Sequence, residues 1–481
     1  MDKNLLGSLY DPEDFKKRGH ELIDLLTNHI QDTISGTNPK TIRWNEPDQE
    51  LSFWEDFLKN GKEQDFFGEI LNRTTHIHHP KYLGHQVAPT LPITALTGML
   101  SSLLNNGMAV YEMGMSSNAI ERIVTEKLCK KIGYNQHSDG FLTSGGTLAN
   151  LTALLSARKA KIEHDVWNDG SIEPLGIMVC EEAHYCVDRA AKIMGLGEKG
   201  IIKVPSNENF AMDADKMETC YQKAKSEGIN VFAIVGSAPS TATGAHDNLE
   251  NIKEFAQKNN LWFHVDGAHG GAAIFSKKYR GLLKGIEEAD SVVIDGHKML
   301  LMPTITTALL FKEKNHSRHT FSLKADYLMD APEEDEWFNS GKRTFECTKN
   351  MMAMHWYIIL KIYGEKVFDD FITRQYDLAK DFAKMISDKP NFELATLPMT
   401  NILCFRYIDA NLSLEELNSL NQTIRRELLE DGEFYVVQTK LNGKHYLRTT
   451  LMNPFTSIED LQLLLEKIKN NAQKLLAKKT S

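Results

Sequence analysis

Two polar side chains, Asp266 and Lys298, each follow an apolar run of the sequence. FHVDGAHGG begins at Phe263, and SVVIDGHKMLLMP begins at Ser291. Such runs are typical of buried strands in a parallel sheet, and the carboxyl ends of these strands meet at one edge, where open α/β sheets bind ligands. An acid and a lysine at that edge are what pyridoxal 5′-phosphate (PLP) requires. The lysine holds its aldehyde as a Schiff base, and the acid keeps its pyridine nitrogen protonated.

The residues around Lys298 distinguish it from an ordinary surface lysine. Taken singly, a lysine after a strand is most often solvated, and an aspartate there often caps a helix. Here Val292, Val293 and Ile294 precede the lysine, and four apolar residues follow it at 299–302. Apolar surroundings disfavour the ammonium form, so we expect a lowered pKa and a neutral, nucleophilic amine at Lys298.

A Gly-rich turn, TSGGT at 143–147, precedes a helix that we predict from about Leu148. Glycines allow the backbone to approach an anion, a hydroxyl adds a bond, and the helix N-terminus contributes the positive end of its dipole. Alone, the motif also fits an ordinary turn with a threonine cap. Together with Asp266 and Lys298, it predicts a cradle for the cofactor phosphate.

Two further loops are expected at the same sheet edge. His184 follows a strand that we predict to end at Cys180, and its ring could stack on the face of the pyridine. Ser240, Thr241 and Thr243 follow another predicted strand and could donate hydrogen bonds to the cofactor ring. The convergence of these loops is more specific for PLP than any one motif.

Alternating strands and helices should position these groups. We predict strands at 176–180, 231–236, 261–265 and 291–294, and helices at 13–30, 120–132 and 249–259. This alternation indicates an α/β fold with a mostly parallel sheet and right-handed crossovers. Beyond residue 350, a smaller α/β layer is indicated by helices at 351–362 and 366–386 and short strands near 402–407, 434–438 and 445–451.

The chain is long enough for two or three domains. We divide its 481 residues into an N-terminal helical segment (1–90), a large cofactor-binding domain (91–350) and a small C-terminal domain (351–481). The stretch from Leu91 to Met115 has no charge before Glu112 and is broken by Pro92 and three glycines. It therefore indicates a core and subunit-contact helix rather than a membrane span.

The composition argues against several classes of protein. The net charge of −10 is spread along the chain, so we expect neither a nucleic-acid nor a membrane partner. The N-terminus has no apolar signal core, and the six cysteines form no CxxC pair, which indicates a cytoplasmic protein with free thiols. His76, His78 and His79 lack a Glu or Cys at ligand spacing, so no metal site is expected.

The motifs together give the chain a resemblance to a known family. They are HHPKYLGHQ, SSNAIERIV, TSGGTLAN, AHYCVDRAA, HVDGAHGG and DGHKML, in this order between residues 78 and 300. On these motifs the chain resembles, over nearly its whole length, the group II pyridoxal-phosphate amino-acid decarboxylases. That family includes the aromatic amino-acid, histidine, glutamate, cysteine-sulfinate and diaminobutyrate enzymes. The resemblance implies a type I PLP-dependent transferase fold and an obligate homodimer, with residues 1–90 as an N-terminal dimerisation segment.

The resemblance also implies roles for individual residues, with His184, Asp266 and Lys298 as the catalytic group. These roles are phosphate binding for Gly146, Thr147 and His297, ring contacts for His184, Thr241 and Asp266, the Schiff base for Lys298, and the substrate carboxylate for Arg448.

Two departures from the family pattern bear on the cofactor and the substrate. Asp295-Gly296 occurs where many relatives have Asn-Pro, which puts a phosphate contact there in doubt. Gly84-His85 occurs where the glutamate enzymes have Asn-Gln, which argues against glutamate. Gly84 should remove bulk from the substrate pocket, and His85 offers a ring that is either neutral or charged.

A third departure concerns the proton donor. The family's mobile loop carries a tyrosine that protonates the substrate's α-carbon. The corresponding segment, 330–343, contains Trp337 and Phe338 but no tyrosine. Tyr327 and His184 are the candidates for this donor.

We therefore expect a PLP-dependent carboxy-lyase that converts an L-amino acid into its amine and carbon dioxide. Two substrate classes are favoured over glutamate: an aromatic side chain near Tyr82 and His85, or a diamino acid whose amine His85 receives. The alternatives are decarboxylation coupled to oxidative deamination, another PLP lyase or transaminase, and a catalytically inactive dimeric binding protein.

Overall fold

The computed structural model describes residues 5–321 and 336–480. The chain divides into two compact units. The larger unit comprises Gln86–Ala383 and Thr396–Leu403, and the smaller unit comprises Met1–His85, Lys384–Ala395 and Cys404–Ser481. The division into three domains that we expected from the sequence stays a prediction.

The elements of the described residues are as follows. The helices are α1 (Leu5–Ser8), α2 (Pro12–Ile34), α3 (Pro47–Asn60), α4 (Phe66–Arg73), α5 (Pro92–Leu104), α6 (Tyr111–Ile132), α7 (Gly146–Lys161), α8 (Val166–Asp169), α9 (Cys186–Ile193), α10 (Ala214–Ser226), α11 (Leu249–Lys258), α12 (Asn315–Phe321), α13 (Ala353–Tyr363), α14 (Lys366–Ser387), α15 (Leu414–Asp431) and α16 (Ile458–Thr480). The strands are β1 (Asp139–Thr143), β2 (Leu175–Cys180), β3 (Ile201–Val204), β4 (Asn230–Ser237), β5 (Trp262–Asp266), β6 (Ser291–Asp295), β7 (Thr307–Phe311), β8 (Phe392–Leu394), β9 (Ile402–Tyr407), β10 (Val437–Leu441) and β11 (Lys444–Thr450).

The larger unit is built on a seven-stranded sheet with the strand order β1-β7-β6-β5-β4-β2-β3. The strands from β3 through β2, β4 and β5 to β6 are parallel, whereas β7 is antiparallel to β6 and β1. The predicted mostly parallel sheet is therefore confirmed, and β2, β4, β5 and β6 match the predicted strands. The pattern missed β1, β3 and β7, because Gly140 interrupts β1 and β3 has only four residues.

The larger unit covers both faces of its sheet, which explains the continuous apolar runs of its central strands. In β4, every residue after Asn230 is buried. α7 is buried from Ala149 to Ala157, and it packs with α9 and the central strands into one apolar core. This packing fixes the start of α7, at Gly146, beside the end of β1.

The apolar stretch from Leu91 to Met115 forms α5 and the first turn of α6 rather than one helix. Asn105 ends α5 in the left-handed region, with φ 48°. Among the described residues of α5, only Thr94 is buried, so the expectation of a core helix is wrong for α5, whereas its role as a subunit-contact helix stays a prediction. Within residues 5–321 and 336–480, no helix is long and apolar enough to cross a membrane.

The smaller unit contains a four-stranded sheet with the order β10-β11-β9-β8. β10 and β11 form a hairpin whose turn residues, Asn442 and Gly443, both have positive φ, as a two-residue turn requires. The predicted strand at 434–438 is shifted, because β10 begins at Val437. α2 confirms the helix predicted at 13–30, and the side chain of Asp11 caps it by accepting from Glu13 N.

Candidate active site

The ends of β5 and β6 bring Asp266 and Lys298 to one sheet edge, as the sequence predicted. The two strands are parallel neighbours, and Asp266 is the last residue of β5. Lys298 lies three residues beyond the end of β6. The charge of Asp266 stabilises the ammonium form of Lys298.

Asp295 is the nearest acid to Lys298, and the sequence analysis did not give it this role. Its Oδ2 lies 3.1 Å from Lys298 Nζ, and its Oδ1 accepts a hydrogen bond of 2.6 Å from Thr307 Oγ1. Burial lowers the pKa of Lys298, but the attraction of Asp295 and Asp266 outweighs it and raises the pKa above the ordinary value. The expected neutral amine is therefore wrong, because the sequence pattern showed the apolar neighbours but not the two acids.

His297 lies between Asp295 and the loop before β7. Its Nδ1 lies 3.0 Å from Thr306 O and 3.2 Å from Thr306 N, and its Nε2 lies 3.6 Å from Asp295 Oδ2. The contact with Thr306 orients the ring towards the Asp295–Lys298 pair.

The TSGGT turn joins β1 to α7, as predicted, and leaves the start of the helix open. Gly145 has a φ of 111°, which favours glycine. The first bond of the helix runs from Ala149 N to Gly145 O, so the N–H groups of Gly146 and Thr147 precede it. A Cβ at position 146 would lie 3.2 Å from Asp295 Oδ2, so a larger residue would crowd that acid.

One acidic side chain already contacts this turn. Glu346 accepts from Thr143 Oγ1 at 2.9 Å and from Ser144 N at 3.0 Å. These contacts lie before the helix and do not involve the N–H groups of Gly146 and Thr147.

The loop after β2, which contains His184, and the loop after β4, which contains Ser240, Thr241 and Thr243, both lie near Asp266. His184 Nδ1 accepts from Cys186 N at 3.3 Å, and burial lowers the pKa of the ring, which the charge of Asp266 opposes. Ala238 N donates to Asp266 O at 2.8 Å. The hydroxyls of Ser240 and Thr243 are 2.8 Å apart and bond each other. Thr241 between them is half-buried, whereas Ser240 and Thr243 are buried, so Thr241 is the most accessible of the three hydroxyls.

In the smaller unit, the segment around His85 packs on Tyr435, which the sequence analysis missed. A Cβ at Gly84 would overlap the Tyr435 ring. The room at Gly84 is therefore filled by Tyr435, and the expectation that it enlarges the substrate pocket is wrong. Tyr82 is buried and stacks on the same ring, with centroids 5.4 Å apart, and the His85 centroid lies 5.8 Å away.

Positive charges surround His85. Partial burial, followed by the charges of Arg448 and Arg425, lowers the pKa of His85. Of the two states that the sequence left open, the neutral ring is therefore favoured. Arg448 is buried on β11.

The remaining predicted features carry less information. Tyr327 and the first part of the segment 330–343 lie outside the described residues, and Trp337 and Phe338 contact each other with centroids 5.6 Å apart. His79 Nε2 lies 2.9 Å from Asn38 O, and the His76 ring packs 5.2 Å from His29. In the part of the chain that the structure describes, no three acidic, His or Cys side chains form a group that could hold a metal ion.

Comparison with known proteins finds similar sequences over most of the chain. The family profile described as "Pyridoxal-dependent decarboxylase conserved domain" matches residues 59–408. The chain is 27% identical to the aromatic-L-amino-acid decarboxylase of Bacillus atrophaeus, over 99% of this chain and 98% of that protein. It is 29% identical to the aspartate 1-decarboxylase of Aliivibrio fischeri, over 82% of this chain and 80% of that protein.

A solved structure is similar over nearly the whole chain. It is the glutamate decarboxylase domain of diaminobutyrate-pyruvate transaminase and L-2,4-diaminobutyrate decarboxylase from Vibrio parahaemolyticus. The TM-score is 0.83, the identity is 27%, and 95% of each chain is covered.

Replacing Asp295 should lower the pKa of Lys298. In Asp295→Asn the amide can still accept from Thr307, but the charge that opposes the effect of burial on Lys298 is lost. The pKa can be measured from the pH dependence of Lys298 acetylation in the cofactor-free protein, followed by mass spectrometry. Asp290→Asn, a mostly buried carboxylate just before β6, is the control. An unchanged pKa in Asp295→Asn would show that Asp295 does not hold the ammonium.

Proposed function

We propose that Lys298, Asp266 and His184 carry out the reaction of this chain, which belongs to the pyridoxal-dependent decarboxylase family. The chain is a PLP-dependent carboxy-lyase that acts on an L-amino acid. Its fold is the type I fold of PLP-dependent enzymes. The observation that carries the assignment is the pairing of Asp266 and Lys298 at the ends of two neighbouring parallel strands. When bound, PLP accepts the electron pair that stays on the substrate's α-carbon as carbon dioxide leaves.

The residues at this edge fit the cofactor. The open N–H groups of Gly146 and Thr147 bind its phosphate at the positive end of α7. His297, which Thr306 orients, lies beside the lysine and contributes a further phosphate contact. Thr241 would donate to the ring oxygen of the bound cofactor, and the His184 ring would contact its pyridine ring.

Lys298 and Asp266 have opposite tasks. The carboxylate of Asp266 would stabilise a proton on the ring nitrogen of the bound cofactor. Lys298 holds the cofactor, and before it does so, its ammonium group must lose a proton, for which Asp295 Oδ2 at 3.1 Å is the nearest acidic acceptor. Arg448 holds the substrate's carboxylate, so that the bond to be broken is positioned before the chemistry.

We propose that His184 donates the proton that the α-carbon of the substrate takes up after carbon dioxide has left. Its Nδ1 accepts a bond from Cys186 N, so the neutral ring carries its proton on Nε2. Tyr327 is the other candidate donor, and it lies outside the described residues.

For the substrate, we favour an aromatic side chain over a diamino acid. The guanidinium charges that lower the pKa of His85 would repel an ammonium group. The His85 and Tyr435 rings, with centroids 5.8 Å apart, offer a surface on which an aromatic side chain can stack. The same positive charges would attract a carboxylate, so an acidic substrate such as aspartate is the second candidate.

We also propose a homodimer. The outer side of α5 carries no charge and exposes five large apolar residues, Leu96, Met99, Leu100, Leu103 and Leu104. Within the described part of the chain, α2 buries only Thr33 and leaves Phe15, Ile23 and Leu25 exposed. A second copy of the chain would remove both apolar surfaces from water. The six free cysteines support a reducing, cytoplasmic location.

Loss of Lys298 or of the Asp266 charge should stop the reaction in different ways. Lys298→Ala should release no carbon dioxide and should remove the yellow colour of the lysine-bound cofactor. Asp266→Asn should retain PLP but slow carbon dioxide release by about 100-fold or more, because the ring nitrogen loses its counter-charge. Asp290→Asn is the matched control. A Lys298→Ala variant with near wild-type turnover would refute the assignment.

A panel of amino acids tests the substrate. We expect carbon dioxide release to be fastest with an aromatic amino acid and slow with 2,4-diaminobutyrate, and Tyr435→Leu should raise KM for the aromatic substrate more than it lowers kcat. The products should be the amine and carbon dioxide; an aldehyde with ammonia would indicate coupled oxidative deamination. Fastest turnover of aspartate would favour the acidic class, and fastest turnover of diaminobutyrate would contradict the electrostatic argument.

Sedimentation velocity tests the homodimer. The wild-type chain should sediment as a dimer, and Leu100→Glu should shift it towards the monomer because it places a charge in the apolar surface of α5. Leu463→Glu is the control, since Leu463 on α16 has the same exposed fraction as Leu100, 47%. A monomeric wild-type chain would contradict the proposal.

A further inference from the structure

A continuous chain of buried hydrogen bonds runs through the core of the larger unit and ends at Asp266. Its members are Trp262, Ser291, His264, Asn150 and Cys186, and each of their side chains is at most 1% exposed. We propose that Asn150 and Cys186 are positioning residues for the reaction, which hold the Asp266 carboxylate against the ring nitrogen of PLP. This inference rests on the role proposed above for Asp266.

The far end of the chain fixes the state of His264. Trp262 Nε1 donates to Ser291 Oγ at 2.9 Å, and Ser291 Oγ lies 2.8 Å from His264 Nδ1. Burial lowers the pKa of His264 to about 4, so the ring is neutral near pH 7. The Asn150 amide nitrogen donates to Gly146 O, so the amide oxygen faces the ring. The ring proton therefore lies on Nε2, and the serine hydroxyl donates to Nδ1.

Asn150 connects His264 with the residues next to Asp266 and with the first turn of α7. His264 Nε2 donates to Asn150 Oδ1 at 2.7 Å, which orients the amide. The amide nitrogen then donates to Gly146 O at 2.9 Å and to Cys186 Sγ at 3.4 Å. One side chain thus connects the first turn of α7, where the phosphate is proposed to bind, with the group that contacts Asp266.

Cys186 completes the chain at the carboxylate. Its Sγ lies 3.9 Å from Asp266 Oδ2, while Asp266 Oδ1 accepts from Ala268 N at 3.2 Å. Burial and the nearby charge of Asp266 raise the pKa of the Cys186 thiol, so it stays protonated and donates. With one donor on each oxygen, rotation of the Asp266 carboxylate is restricted.

The competing explanation is that these bonds only satisfy polar groups inside the core. In that case the loss of one member would weaken the fold, and any effect on the cofactor would not depend on its ring nitrogen. Positioning of Asp266 makes the opposite prediction, because only a cofactor with that nitrogen can use the carboxylate.

The experiment compares the dissociation constants of PLP and of 1-deazapyridoxal 5′-phosphate, in which C–H replaces the ring nitrogen, on the full-length apoenzyme. The ratio of the two constants cancels changes at the phosphate. Cys186→Ala and Asn150→Ala should weaken PLP binding about three- to tenfold relative to the analogue, which corresponds to the net contribution of one ordinary hydrogen bond. Cys186→Ser should also weaken PLP binding relative to the analogue, because the C–O bond is shorter than the C–S bond and leaves the hydroxyl farther from Asp266 Oδ2 than the thiol, which lies at 3.9 Å. Cys180→Ala, another buried thiol, is the control.

Asp266→Asn distinguishes the role of Asp266 itself from the positioning role of Asn150 and Cys186. If this variant abolishes the preference for PLP while Cys186→Ala and Asn150→Ala retain the wild-type ratio, the positioning role is wrong and the role of Asp266 stands. If Asp266→Asn itself retains the ratio, the proposed function of Asp266 fails, and the positioning role fails with it. Thermal unfolding of each apoenzyme identifies variants that have lost the fold. If Asn150→Ala does not fold, the two Cys186 variants test the positioning role, because Cys186→Ser exchanges only the sulfur atom and Cys186→Ala removes it.

Discussion

The candidate site depends on the compensation of charges that folding removes from water at one sheet edge. Two carboxylates and one ammonium group are buried or half-buried there, at Asp266, Asp295 and Lys298. A single buried charge without a partner costs several kcal/mol, so each of these groups depends on the others. The ammonium form of Lys298 is the consequence, and the lysine becomes a nucleophile only when a proton is taken from it.

The backbone around this cluster is constrained by the same charges. Asp295 ends β6 directly opposite Thr307 of the antiparallel strand β7, whose hydroxyl satisfies one carboxylate oxygen. The other oxygen lies on Lys298, and a side chain at position 146 would crowd the same acid. The start of α7, Asp295 and Lys298 are therefore in contact with one another. A larger residue at position 146 would disturb both the open N–H groups of the helix and the ion pair of Asp295 with Lys298.

In the smaller unit, the constraints are the packing of Tyr435 against Gly84 and the positive charges near His85. Gly84 allows the Tyr435 ring to lie against the chain, and Leu83 N holds this approach by donating to Tyr435 O at 2.9 Å. The result is a ring surface next to a neutral His85 in a positive field. Such a surface suits a flat or anionic side chain better than a cationic one.

The sequence by itself determined the fold class, the parallel central strands and the edge position of Asp266 and Lys298, because strand burial and strand ends are local properties of the pattern. It could not determine what faces those residues. The partnership of Lys298 with Asp295 depends on how the chain turns after β6, and the contact of Gly84 with Tyr435 joins residues some 350 positions apart. The lysine's pKa had the wrong predicted direction for this reason: apolar neighbours in sequence are visible, whereas the charges that outweigh them are brought close only by the tertiary structure.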